Sequence, residues 1–459
     1  MALIKKFNPD LSDLSSKERL LVDKLILAGE LIVPLYLKHK NDKYLGANFY
    51  PPDATKEEIE QAAKKNPAIL DPYTSVERDK TGKLIAIPYH LKFKEELKKV
   101  SQVLIEAAKL SDDKNFSNYL KTLASSLLNG NYRKGEKAWL KTVSSKFGFV
   151  IGPIEAYLDK LFHKKTAYKS IIGVLNERKT KEAQKIKETI LVSSKKTLLP
   201  AKRVNAFQLN VRVEKTILFS GLTAEFGPTG GTLPNDFFLI EKYGSILTIF
   251  EDSLKERFKK DHLPIFKTIF DKNFQERYSE KELYEASFRC ILVHEIGHNL
   301  IYYQGAQERL QNLYPFLNEL YAYILGIERC QTLCLKNIFS SEELEMILIM
   351  HICRNFTWWF DFLKLSEASS HAIGSILMQN FFLKEKAIEI DKKKGILKID
   401  FSRAYFCINE CCRFLEYYLS LGSYKEVQEF INAYGQPKIF QRDFSSILKK
   451  ISRKINYKK

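Results

Sequence analysis

From Lys281 to about Tyr434 the chain keeps a helical period almost without a break, which confines its second half to packed helices. One helical run, Leu283 to about Tyr303, carries His294-Glu295-Ile296-Gly297-His298. Histidines at i and i+4 project from one helix face, one turn apart, so both imidazoles can reach a single ion. Glu295 sits one step round the helix, where it can take a proton from water polarised at that ion. The bland alternative is a pair of satisfied core histidines on an apolar helix. A third donor is needed to choose between the two.

Glu319 supplies it, 21 residues after His298. On a helix it shares a stripe with Phe316, Leu320, Tyr323 and Ile327, so it faces inward. A carboxylate there needs a partner, because an unpaired buried charge is very costly. A second helix packed antiparallel to the first would bring Glu319 to the ion, giving two imidazoles, one carboxylate and an open position for water. Glu308 and Glu328 are worse placed. The pattern therefore predicts one Zn2+ held by His294, His298 and Glu319, with Glu295 as general base.

Composition narrows the alternatives. The chain has 459 residues, 45% of them hydrophobic, which is ample for a large core and excludes global disorder. The net charge of +18 is spread over runs such as Lys94–Lys99 and Arg178–Lys187, none interleaved with aromatics as in nucleic-acid readers. Nucleic acid is accordingly not an expected partner. Seven cysteines form no regular framework, which points to a reducing compartment and a cytoplasmic protein. Cys330 with Cys334 and Cys407 with Cys411 fall at helical spacing but lack the residues that would complete a metal tetrad. The apolar run Leu20–Leu37 is broken by charges, and Met346–Cys353 is too short to cross a bilayer, so neither a leader nor a membrane span is expected.

The first half is mixed. Helices are expected over 14–40, 56–66 and 91–128, a strand or buried loop over Phe147–Ile154, and a charged helix over 171–191. Strands follow at Val211–Phe219 and Ile246–Phe250, around a loop of turn formers from Gly227 to Asp236. A helix over Leu254–Lys272 is expected to break at Pro264.

Several separated segments carry a family likeness: Gly152-Pro153-Ile154-Glu155-Ala156-Tyr157, the loop Gly231-Thr232-Leu233-Pro234-Asn235-Asp236, the HEIGH pentad, Asn318-Glu319 with Ala322, and Ser369-Ser370-His371-Ala372. Through them the chain resembles dipeptidyl peptidase III and its shorter bacterial relatives, with gaps, from Leu11 to about Tyr434. The resemblance implies that Glu155 binds the free α-amino group of a peptide, that Asn235 offers its amide to the peptide backbone, and that Tyr157 and His371 stabilise the tetrahedral intermediate. It also implies an α+β fold of two lobes around a cleft. One lobe, 1–175 with 212–262 returning to it, is mixed with a small β-barrel core; the other, 176–211 and 263–459, is mainly helical and carries zinc. The expected activity is a zinc exopeptidase acting on short peptides. Asn318 and Tyr323 stand where the family has acidic groups behind the histidines, and Thr232 where it has asparagine. The alternative is therefore a weakened member that binds peptide or regulates.

Overall fold

Ser15 opens the first long helix: its hydroxyl accepts from Glu18 N and the Glu18 carboxylate accepts from Ser15 N, a reciprocal cap on α1, Ser16–Leu31. In the computed structural model, which describes residues 3–193, 208–300, 303–364 and 369–455, the chain divides into two units. Unit 1 joins Met1–Thr180, Arg212–Pro228 and Thr232–Ser253; unit 2 joins Lys181–Val211, Thr229–Gly231 and Leu254–Lys459. The fold is mixed α/β, and its main sheet is a curled half-barrel.

Unit 1 begins with strand β1, Ile4–Lys6, and a hairpin of β2, Thr74–Arg78, with β3, Leu84–Pro88. The main sheet adds β4, Phe147–Glu155; β5, Ala167–Leu175; β6, Leu209–Gly221; β7, Gly230–Leu233; and β8, Ser245–Phe250. Its order is β4-β5-β6-β8-β7, with β1 on β6, and β4, β5 and β6 pair antiparallel. Helix α1 lies so close to the sheet that a Cβ on Gly29 would stand 3.0 Å from Ser170 Oγ. Leu25, Ala28 and Ile32 there join Ile172 and Leu218 in one buried core.

Two expectations change. The helix over 171–191 begins only at Glu177, because 171–175 belongs to β5. That strand is buried on nearly every residue, so it shows an unbroken apolar run rather than alternation and reads equally well as helix. The helix over 91–128 is two: α2, Lys94–Leu110, and α3, Lys114–Asn129, whose Asp113 accepts from two backbone N–H groups and starts it afresh.

Unit 2 holds α4, Glu280–His298; α5, Tyr314–Leu335; α6, Ser341–Lys364; α7, Ser370–Lys384; and α8, Phe401–Ser420. The Ser279–Glu282 capping box starts α4, and Pro315 occupies the first turn of α5, where its missing donor is harmless. The helical pattern is interrupted by a hairpin, β9, Ile388–Asp391, with β10, Ile396–Ile399. Pro264 sits in the first turn of Leu263–Ile269, just after a π-helical turn at Phe258–His262. Ile301, next to the HEIGH segment, lies outside the described residues.

Candidate functional site

Glycines set the approach of the helices that carry the metal-type donors. A Cβ on Gly297 would lie 2.7 Å from Ala322 O, and one on Gly326 would lie 2.9 Å from Val293 O. Later residues of α4 thus meet earlier residues of α5, so the two helices run antiparallel and nearly touch at the backbone. Gly374 does the same for α7, where a Cβ would stand 3.1 Å from Glu319 Cβ.

Glu319 Oε2 is consequently ringed by imidazoles: His294 Nε2 at 3.7 Å, His298 Nε2 at 3.5 Å and His371 Nδ1 at 2.8 Å. The rings of His294 and His298 have centroids 4.7 Å apart. Among the described residues, one atom each from His294, Glu319 and His371 fall within 4.8 Å of one another, a group able to hold a metal ion. Sequence reasoning gave His371 a different role and did not bring it this near to Glu319.

The electrostatics suit a cation. Both nitrogens of His294 are buried without a hydrogen-bond partner. Burial holds His294 well below the usual histidine range, aided by the charge of Arg354, so its ring is neutral and a lone pair is available. Burial alone would push the Glu319 carboxyl up, but the charges of His371 and His298 outweigh it and keep the group ionised. For His298, burial pulls down while Glu319 and Glu295 pull up more strongly. Two imidazoles and a carboxylate with orphaned buried nitrogens fit a borderline divalent ion such as zinc.

The groups behind the donors are weaker than carboxylates. Asn318 Nδ2 stands 3.4 Å from His298 Nδ1. Only an amide turned to present its oxygen would fix the proton on Nδ1 and free Nε2 for a metal. Tyr323 stacks on His294 with centroids 4.4 Å apart, and its hydroxyl stands 3.2 Å from His371 Nδ1 rather than at His294. Trp358 stacks on His371 at 4.4 Å and 13°, fixing the plane of that ring; no motif in the sequence marks it.

Glu155, Asn235 and Tyr157 lie in unit 1. Glu155 ends β4, and its two oxygens are both engaged: Lys169 Nζ donates to Oε1 at 2.8 Å and Asn235 Nδ2 to Oε2 at 3.0 Å. The Asn235 amide also reaches Ile154 O at 3.3 Å. The lysine is neither Lys160 nor Lys164, the nearer ones in sequence, because strand pairing sets Lys169 of β5 opposite Gly152 of β4. Tyr157 is exposed, its ring 5.5 Å from that of Phe226.

Comparison with known proteins agrees with the resemblance. The model of peptidase family M49 matches residues 46–201, a stretch that includes Glu155 and Tyr157 and stops short of α4. Nudix hydrolase 3 of Arabidopsis thaliana is 23% identical over 390 residues, 78% of this chain and 50% of that protein, so the chain spans about half the length of this relative. Among solved structures, dipeptidyl peptidase III from Caldithrix abyssi superposes with a TM-score of 0.85 at 22% identity, covering 96% of this chain and 95% of that one. The enzyme from Corallococcus sp. strain EGB gives 0.80 at 21%, covering 98% and 93%. Over residues 46–201 the chain is similar to peptidase family M49, and its fold is that of dipeptidyl peptidase III.

Proposed function

We propose that the chain is a zinc metallopeptidase that releases dipeptides from the free N-terminus of short peptides. The observation that carries the reading is the Glu319 carboxylate set among imidazoles, with both nitrogens of His294 buried and unpartnered. His294, His298 and Glu319 would hold the ion. When bound, zinc lowers the pKa of a water and stabilises negative charge on the attacked carbonyl. Glu295 takes the proton from the attacking water and delivers it to the leaving amine. His371 and Tyr157 donate hydrogen bonds to the developing oxyanion. Glu155, steadied by Asn235, binds the peptide ammonium.

Metal analysis and a dipeptidyl-naphthylamide assay test this. Glu295→Ala should retain zinc and lose turnover, whereas His294→Ala should lose both. N-acetylation of the substrate should remove most of kcat/KM. Equal zinc loss in the two variants, or equal cleavage of acetylated and free substrate, would defeat the reading.

A second reading is favoured by two observations: Asn318 and Tyr323 give the histidines no carboxylate acceptor, and Lys169 already pairs with Glu155. It is a metal-binding member with little turnover that binds or regulates peptides. Bound zinc without cleavage of any naphthylamide would favour it. Seven free cysteines support a reducing, cytoplasmic setting, and none of the described helices is long and apolar enough to cross a membrane.

A further inference from the structure

Glu155 already has a cation. Lys169 Nζ lies 2.8 Å from Oε1, and the pair is largely shielded from water, with side-chain exposures of 9% and 17%. Screening is weak for such a pair, so each charge is felt almost in full by any third charge brought beside it. Asn235 takes the other oxygen without adding charge. Gly152, opposite Lys169, carries no side chain, and the register shifts between Pro153 and Glu155, so among the described residues the lysine's ion partner is the carboxylate beyond that irregularity.

We propose that Lys169 is a specificity-determining positioning residue: an internal ammonium that competes with the peptide's N-terminal ammonium for Glu155. This rests on the reading of Glu155 as the acceptor of the peptide amine. A carboxylate has lone pairs enough for a further donor, so geometry does not forbid the peptide. Charge opposes it, because the incoming ammonium meets a neutral pair and a like charge rather than a free carboxylate. Lys169 therefore weakens the recognition of a free N-terminus and lowers the discrimination against blocked peptides. A purely structural ion pair would have no such selectivity, since its loss would alter stability without distinguishing free from acetylated peptide.

The test is equilibrium binding of tetra-alanine and N-acetyl-tetra-alanine to the zinc-loaded full chain carrying Glu295→Gln, read by calorimetry. Adding Lys169→Met should tighten tetra-alanine about tenfold and leave the acetylated peptide unchanged. Lys169→Arg, which keeps the charge, should give no gain. Lys169→Gln, which can still hydrogen-bond Glu155 but is neutral, should reproduce the gain and serves where the methionine variant does not fold. In the active chain, the gain should appear as a lower KM for free peptides and not as a higher kcat. No gain for tetra-alanine in either neutral variant, or an equal change for both peptides, overturns the assignment. Glu155→Gln in the same background separates the premise: if it leaves any preference for the free peptide intact, Glu155 is not the amine acceptor and the reading itself fails.

Discussion

His294 is the residue on which the site turns. A neutral imidazole buried with both nitrogens unpartnered is unfavourable by the desolvation of two polar atoms, on the order of 1–3 kcal/mol each. A bound cation would satisfy one of them. His298 differs, because Asn318 stands at its Nδ1 and an amide can offer either its oxygen or its nitrogen there. A carboxylate can only accept. Asn318→Asp should therefore lock the proton on Nδ1, leave Nε2 free, and tighten zinc about tenfold, the lower end of what partners behind a ligand contribute. Competition with a chelator of known affinity measures this; unchanged or weaker affinity would mean that the amide already presents its oxygen.

Among the elements, the contact of α4 with α5 decides whether those residues meet at all. It is built on two glycines, and the neighbours they face are backbone atoms, which cannot swing aside as a side chain can. Gly326→Ala would place a methyl 2.9 Å from Val293 O and 3.2 Å from His294 N. The helices must then separate, at a cost of roughly 1–3 kcal/mol, and Glu319, two turns earlier on α5, moves with them. The expected outcome is a lower melting temperature for unit 2 together with weaker zinc binding. Lower stability with zinc affinity intact would show that the crossing can relax without disturbing the donors. The close approach is not legible in the sequence, since a glycine in a helical pattern shows no partner.

At the scale of the whole molecule, the chain divides into two compact units, and a single unfolding free energy does not describe it. One titration belongs to unit 1. Burial raises the Glu136 carboxyl to about 7, with the charge of Asp236 adding to the effect and Arg133 opposing it. A carboxyl whose folded pKa is raised binds its proton more tightly when folded. Its contribution is complete below the unfolded value of 4.5 and is lost as pH rises to about 7. This group should cost unit 1 up to about 3 kcal/mol between those limits. Calorimetric melts from pH 4.5 to 8 should show the loss in the wild type and its absence in Glu136→Gln; parallel pH profiles would exclude the group. Removing zinc with a chelator should move the transition of unit 2 instead, which allows the two to be told apart.

What the sequence determined by itself is local. The i,i+4 histidines on α4 and the inward stripe that carries Glu319 both follow from a 3.6-residue period. The family likeness was legible for a related reason, because its motifs are short runs. Only the tertiary structure decided which lysine meets Glu155, that His371 comes to Glu319, and that Ile171–Leu175 is a strand rather than a helix. Each of these depends on a strand register or a helix crossing between residues far apart in the chain. Such contacts are set by packing and close approach, to which no local period is sensitive.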